Sequence, residues 1–96
     1  MPGPFRVLAS AAFERDFRKA AKGQPELVTV VEELFVTLQV DPHNSSQQHK
    51  IKKLVGVRPG DGQWRIRWRE YRLRYDIIEG DVILHSFRHR KEAYSH

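Results

Sequence analysis

Four arginines in one short run carry most of the chemistry this chain could do. Between Trp64 and Tyr75 the sequence reads W-R-I-R-W-R-E-Y-R-L-R-Y, with Arg65, Arg67, Arg72 and Arg74 at alternating positions. A guanidinium is planar, permanently charged and bidentate towards phosphate, so arginines spaced this way suit a polyanion. They are poor proton acceptors, because the pKa of arginine lies above ~12. Proton transfer at such a site must therefore come from another side chain. His85 and His89 lie downstream, and unperturbed imidazole titrates near ~6.5. A metal site is not expected: the chain has no cysteine, and His43, His49 and His96 are scattered without ligand spacing. No cofactor motif is visible either.

Two strands must position these arginines. Trp64, Ile66 and Trp68 alternate with Arg65 and Arg67, the period of a half-buried strand. After Arg69-Glu70 the alternation restarts in the opposite phase, with Tyr71, Leu73, Tyr75 and Ile77 apolar. A tight hairpin at Arg69-Glu70 predicts residue 68 opposite 71, 67 opposite 72 and 65 opposite 74. That register gathers the aromatic and aliphatic side chains on one face and all four arginines on the other. Like charges directly opposite destabilise a sheet, so such a face implies an anionic partner. The turn lacks the glycine or asparagine that two-residue hairpins prefer.

The remaining elements follow in order. Phe5 to Ala9 reads as a short strand, Ser10 as an N-cap, and Ala11 to Lys22 as a helix ended by Gly23. A second helix is expected from Pro25, with Leu27, Val30, Val31, Leu34, Phe35 and Leu38 forming its core stripe and Asp41-Pro42 its stop. His43 to His49 is loop. Lys50 to Leu54, with Lys52 and Lys53, is either a solvated connector pinned by Ile51 and Leu54 or a phosphate-contacting edge. Pro59 to Gly62 is a turn, and Glu79-Gly80 another, followed by a strand from Asp81 to Phe87. Regular pairing places Ile83, His85 and Phe87 on the arginine face and Val82, Leu84 and Ser86 in the core. One residue of slip reverses this. The expectation is an α+β fold, β-α-α-β-β-β, with a small antiparallel sheet and two N-terminal helices packed on one face.

Ninety-six residues allow one domain, 1–96, with one modest core. Residues 1–48 hold five Lys/Arg against six Asp/Glu, while residues 49–96 hold twelve against six. The positive excess therefore lies on the strand-rich half, which points to nucleic acid or an acidic partner. No apolar run is long enough to span a bilayer, and the N-terminus lacks a signal-peptide pattern, so no membrane role is expected. The absence of cysteine fits a cytoplasmic location. Trp64 and Trp68 could stack bases, but their phase with Ile66 favours the core.

Taken together, W-R-I-R, then Y-R-L-R-Y at Tyr71–Tyr75, then H-R-K-E-A-Y at His89–Tyr94 resemble the RelE/ParE superfamily of bacterial toxins. K-K-L-V-G at Lys52–Gly56 and the Asp41-Pro42 stop are also similar, so the resemblance covers essentially the whole chain. It implies a compact toxin of a type II toxin–antitoxin system, held silent by a cognate antitoxin protein. In the RelE-like branch the implied activity is metal-independent, ribosome-dependent cleavage of mRNA in the A site. In the ParE-like branch the target is DNA gyrase. The terminal R-K-x-x-Y resembles the nuclease branch. By position, the resemblance makes Arg72, Arg90 and Tyr94 catalytic candidates, with His89 beside them. It puts Arg65 and Arg67 where that branch has basic strand residues, and Arg74, Lys52 and Lys53 complete the expected RNA-binding set. Two departures stand out: Arg69-Glu70 replaces the glycine usual before Y-R, and arginines replace strand lysines. The general base is therefore open between Tyr94 and the histidines. Beside the nuclease stand two other functions, a gyrase poison and a non-catalytic nucleic-acid-binding module.

Overall fold

The structure, a computed structural model, describes residues 4–93. Its elements run β1 (Arg6–Ala9), α1 (Ala11–Gly23), α2 (Leu27–Val40), β2 (Ile51–Lys53), β3 (Trp64–Trp68), β4 (Tyr71–Ile78), β5 (Asp81–His89) and α3 (Arg90–Ala93). The strands form one sheet in the order β1-β5-β4-β3-β2. The expected order of elements holds, with the basic segment after His49 supplying the extra edge strand β2. The sheet is mixed rather than purely antiparallel, because β1 pairs parallel with β5. The two helices between them carry the chain back across the sheet, which lets its first and last strands run side by side.

Local chemistry sets the helix ends. Ser10 caps α1, its hydroxyl accepting the Phe13 N–H at 3.0 Å. Helix α2 begins at Leu27, after Pro25, because Leu27 N–H first closes a turn onto the Gln24 carbonyl. Phe13, Leu27, Val31, Leu34 and Leu38 from the helices meet Ile66, Tyr71, Leu73, Tyr75, Val82, Leu84 and Phe87 from the sheet to form the core. Tyr75 is fully buried, and its hydroxyl donates to the Pro42 carbonyl at 2.7 Å. Burial, with Asp41 nearby, pushes its pKa well up, so it stays a donor and ties β4 to the end of α2.

The β3–β4 register is the expected one, with Trp68 opposite Tyr71, Arg67 opposite Arg72 and Arg65 opposite Arg74. The turn works without glycine at some strain: Arg69 has a φ of 50°, a region that costs a side-chain-bearing residue about 1 kcal/mol. Its guanidinium lies over the Trp68 ring at 4.9 Å, a contact that offsets part of that cost.

The expectation for β5 needs correction. Its pairing with β4 shifts between Arg74 and Tyr75, so that Tyr75 faces Leu84 while Arg74 faces Ser86. His85 is the extra residue of a bulge. Before it, Val82 and Leu84 point into the core as expected; after it, Phe87 is buried, and Ser86 joins the arginine face. A strand that must bury both Leu84 and Phe87, three residues apart, cannot alternate regularly between them.

A loop ahead of β3 is fastened to the same face. The buried Asp76 carboxylate accepts N–H groups from Gly60, Gly62 and Gln63 at 3.2, 3.0 and 3.0 Å. Gly62 has a φ of +79°, and a Cβ there would come within 3.0 Å of Arg74 and 3.3 Å of His85. Only glycine fits this approach. Hydrogen bonds to a charged group are worth about 1.5–3 kcal/mol each, partly recovered by water on removal. Asp76→Ala should therefore lower stability by about 3 kcal/mol in urea unfolding. A loss under about 1 kcal/mol would show that the loop holds itself.

Candidate nucleic-acid interface

Alternation along the strands builds two ladders of cations on the face away from the helices. Lys52, Arg65 and Arg74 lie opposite one another across β2, β3 and β4. Arg67, Arg72 and Arg88 do the same across β3, β4 and β5. The pairing runs one residue past β2, since Arg67 N–H donates to the Lys50 carbonyl. Neighbouring strands lie about 4.8 Å apart, so these charges are close enough to repel.

The arginines differ in what holds them. Arg74 is committed to the loop: its Nε donates to Gly62 O at 3.0 Å and its Nη2 to Asp61 O at 2.8 Å. Arg72 Nη1 donates to the carbonyls of Arg69 and Tyr71, at 3.1 and 3.3 Å. Arg65 is half-buried, and its Nε is shielded from solvent with no hydrogen-bond partner. A buried guanidinium donor left unmet costs free energy that an incoming phosphate oxygen would recover. Arg67 is exposed, and neither it nor Lys52 forms an ion pair among the described residues.

Arg72 and Arg90 meet at one corner of the sheet. Arg90 opens α3, donates its N–H to the Glu70 carbonyl, and holds its Nη1 3.7 Å from Glu70 Oε2. Both arginines therefore bond to the Arg69-Glu70 turn, Arg72 through backbone carbonyls and Arg90 also through the Glu70 carboxylate that stands where glycine is usual. Tyr94 lies outside the described residues.

Two expected members lie elsewhere. Lys53 pairs with Trp64 and places its Nζ 5.7 Å from that ring's centre, on the opposite face of the sheet. His89 pairs with Tyr71, packs edge-on to its ring at 5.3 Å, and accepts the Lys91 N–H through Nδ1. Odd and even positions of β5 exchange faces at the bulge, which turns His89 towards the helices and away from the ladders. Trp64 and Trp68 stack on Tyr75 and Tyr71 against the core.

Sequence reasoning missed Arg88 on this face. Its Nε reaches Asp16 Oδ2 at 3.5 Å, and the same oxygen accepts the Phe87 N–H at 3.1 Å along the part of β5 that β1 leaves unpaired. The signal was the spacing of Leu84 and Phe87, which demands a slip. Asp76 was also missed, since nothing in the sequence marks a single buried carboxylate as a loop anchor. Among the described residues no group of three or more His, Asp or Glu side chains is placed to hold a metal ion.

Comparison with known proteins bears on this arrangement. Residues 7–94 match the family described as the ParE toxin of type II toxin–antitoxin systems. The toxin–antitoxin complex RelBE2 from Mycobacterium tuberculosis contains a similar chain, with 28% identity and a TM-score of 0.69 over 91% of this chain and 99% of that one. The RelB–RelE complex from Methanococcus jannaschii shares the fold, at 21% identity and a TM-score of 0.57 over 92% and 95% of the two chains. No curated protein matches the sequence significantly.

The different holds on the arginines predict different phenotypes. Arg74→Ala should destabilise the fold by about 1–2 kcal/mol, because two loop carbonyls lose a charged donor. Arg67→Ala should leave stability within about 0.5 kcal/mol, as exposed surface changes usually do. It should instead weaken binding to single-stranded RNA and reduce the log–log salt slope by roughly 0.7, the share of one phosphate contact. Thermal melts and salt-titrated binding separate the two, and an unchanged salt slope in Arg67→Ala would remove it from the interface.

Proposed function

The chain belongs to the ParE toxin family of type II toxin–antitoxin systems, within the RelE/ParE superfamily, and on that premise we propose that it is a ribosome-dependent endoribonuclease. The observation that carries the reading is the corner where Arg72 and Arg90 converge on one turn beside the exposed Arg67. Attack of a ribose 2′-hydroxyl on its own phosphodiester builds negative charge on the phosphorane. Two guanidiniums held at one corner stabilise that charge, each with a planar pair of donors. Arg65 and Arg67, with Lys52, track the neighbouring phosphates. Tyr94, which the terminal motif places after α3, is a candidate for moving a proton. The reaction needs no metal in this reading.

A face made of arginines orients phosphates but does little to align a flexible message for in-line attack. The ribosome would supply that alignment, an effect that can contribute several kcal/mol. Cleavage in the A site would halt translation and place the protein in the cytoplasm. Its second partner is a cognate antitoxin, as in the two toxin–antitoxin complexes that it resembles. Two features support such a partner. Val28, Val36 and Val40 of α2 lie exposed, as does Leu8, and the cationic ladders gain from an acidic covering.

The family description favours one other reading, a gyrase poison, which would use the same surface without chemistry. Single-turnover cleavage of ribosome-bound message distinguishes them. Removing one charge-stabilising group typically costs about two to three orders of magnitude, so Arg72→Ala and Arg90→Ala should each fall that far. Free RNA should be cut far more slowly than bound message. Wild-type rates in both variants, or no cleavage by the unaltered protein, would turn the assignment to gyrase.

A further inference from the structure

The proton acceptor that an arginine site lacks has a candidate on the same face. The bulge in β5 sets both His85 and Ser86 opposite Arg74, on the side of the sheet that carries the ladders. The His85 ring lies against the same point of Gly62 as Arg74 does, 3.3 Å from where a Cβ would stand. It is half-buried there, and Ser10 holds the backbone beside it: Ser10 Oγ donates to the His85 carbonyl at 3.3 Å, and Ser10 N–H to Leu84 O. The other histidines are placed differently. His89 packs on Tyr71 on the helix side, and His43 packs edge-on to Phe5 and Trp64. His49 lies beside Asn44 and Asp41, before β2. Among the described residues, His85 is the one imidazole on the arginine face.

Building on the nuclease reading above, we infer that His85 is the general base of the cleavage. Its neutral imidazole accepts the proton of the ribose 2′-hydroxyl as O2′ forms a bond to phosphorus. The P–O5′ bond breaks with its electron pair on O5′, which takes a proton from water. The products are a 2′,3′-cyclic phosphate and a 5′-hydroxyl end, and the imidazolium returns its proton to solvent. The position suits this division of labour. His85 lies one ladder step, or roughly 7 Å of strand, from the Arg72–Arg88 pair, so the ribose of a phosphate held by Arg72 can extend along the strand to the bulge. Gly62, with no side chain, and the loop that Asp76 and Arg74 hold down fix the ring from one side. The bulge is thus a device that re-aims a side chain next to a site.

The charged groups around the ring are Arg74 and Asp76 from β4, Asp61 from the loop and Arg88 from its own strand; the N-terminus of α1 offers only the Ser10 hydroxyl. Imidazole is the side-chain type whose ordinary range falls between about pH 5 and 8. Single-turnover cleavage of ribosome-bound message should rise with pH between about 5 and 8 and then level, because a general base works only in its unprotonated form. His85→Gln should lose that inflection and at least about 100-fold in rate. His89→Gln should keep both. A flat wild-type profile between pH 5 and 8 overturns the assignment without any variant, so a folding defect in His85→Gln cannot shelter it. Undiminished cleavage by a folded His85→Gln, or loss of the inflection in His89→Gln alone, also overturns it. If the unaltered protein does not cut ribosome-bound message, the nuclease reading falls and this role with it; if it cuts with a flat profile, only His85 is excluded.

Discussion

Everything on the functional face depends on the register between β3 and β4. Side chains alternate with a period of two, so one residue of slip would carry Arg65, Arg67, Arg72 and Arg74 into the core and Ile66, Leu73 and Tyr75 into solvent. Burial of those apolar side chains fixes the register, since each contributes on the order of 2 kcal/mol. The two-residue turn then has to close whatever the register dictates. It does so with an arginine in a backbone region that favours glycine, held by its own stacking on Trp68. Hydrophobic pairing wins over turn propensity here.

The same register creates a problem that the fold solves unevenly. Stacked guanidiniums repel, and solvent alone screens them incompletely at strand spacing. At one end the Gly62 and Asp61 carbonyls absorb the charge of Arg74, and at the edge Asp16 answers Arg88. At the turn, backbone carbonyls and Glu70 answer Arg72 and Arg90. Between these ends, Arg65, Arg67 and Lys52 have no carboxylate partner among the described residues. The least compensated charge thus lies on the β3–β2 side of the sheet, where a nucleic-acid backbone would lie. Structural pairing and functional exposure divide one set of arginines between them.

The sequence made the hairpin, both helices and the Ser10 cap of α1 legible because each rests on local rules: alternation, helical periodicity and a serine ahead of an apolar run. It left β2 open, since three residues of strand carry too little pattern to distinguish an edge from a connector. The direction of β1 was not readable either, because parallel pairing with β5 is a contact between the two ends of the chain. Of the candidate site, Arg65, Arg67, Arg72 and Lys52 lie where alternation put them. Its Lys53 and His89 do not share that face, and neither does Phe87, which regular alternation would put there. Lys53 follows Lys52 on a strand and must point the other way; His89 and Phe87 follow a bulge that shifts the phase. Assigning faces across a whole strand from its first half is the step that failed.

That bulge links fold to chemistry. A regular β5 would bring Phe87 to the cationic face and turn Ser86 towards the helices, losing an aromatic from a core in which it contacts Phe13, Phe17 and Tyr71. The core therefore requires the phase shift for its own reasons. The residue that absorbs it is necessarily extra to the pairing, free of the strict alternation on either side, and set at the face opposite Arg74. At that point the chain carries a histidine and a serine, the small polar pair that a phosphate-lined surface can accommodate. Packing decides where the irregularity falls; the side chain placed there decides whether a face of fixed cations can also move a proton.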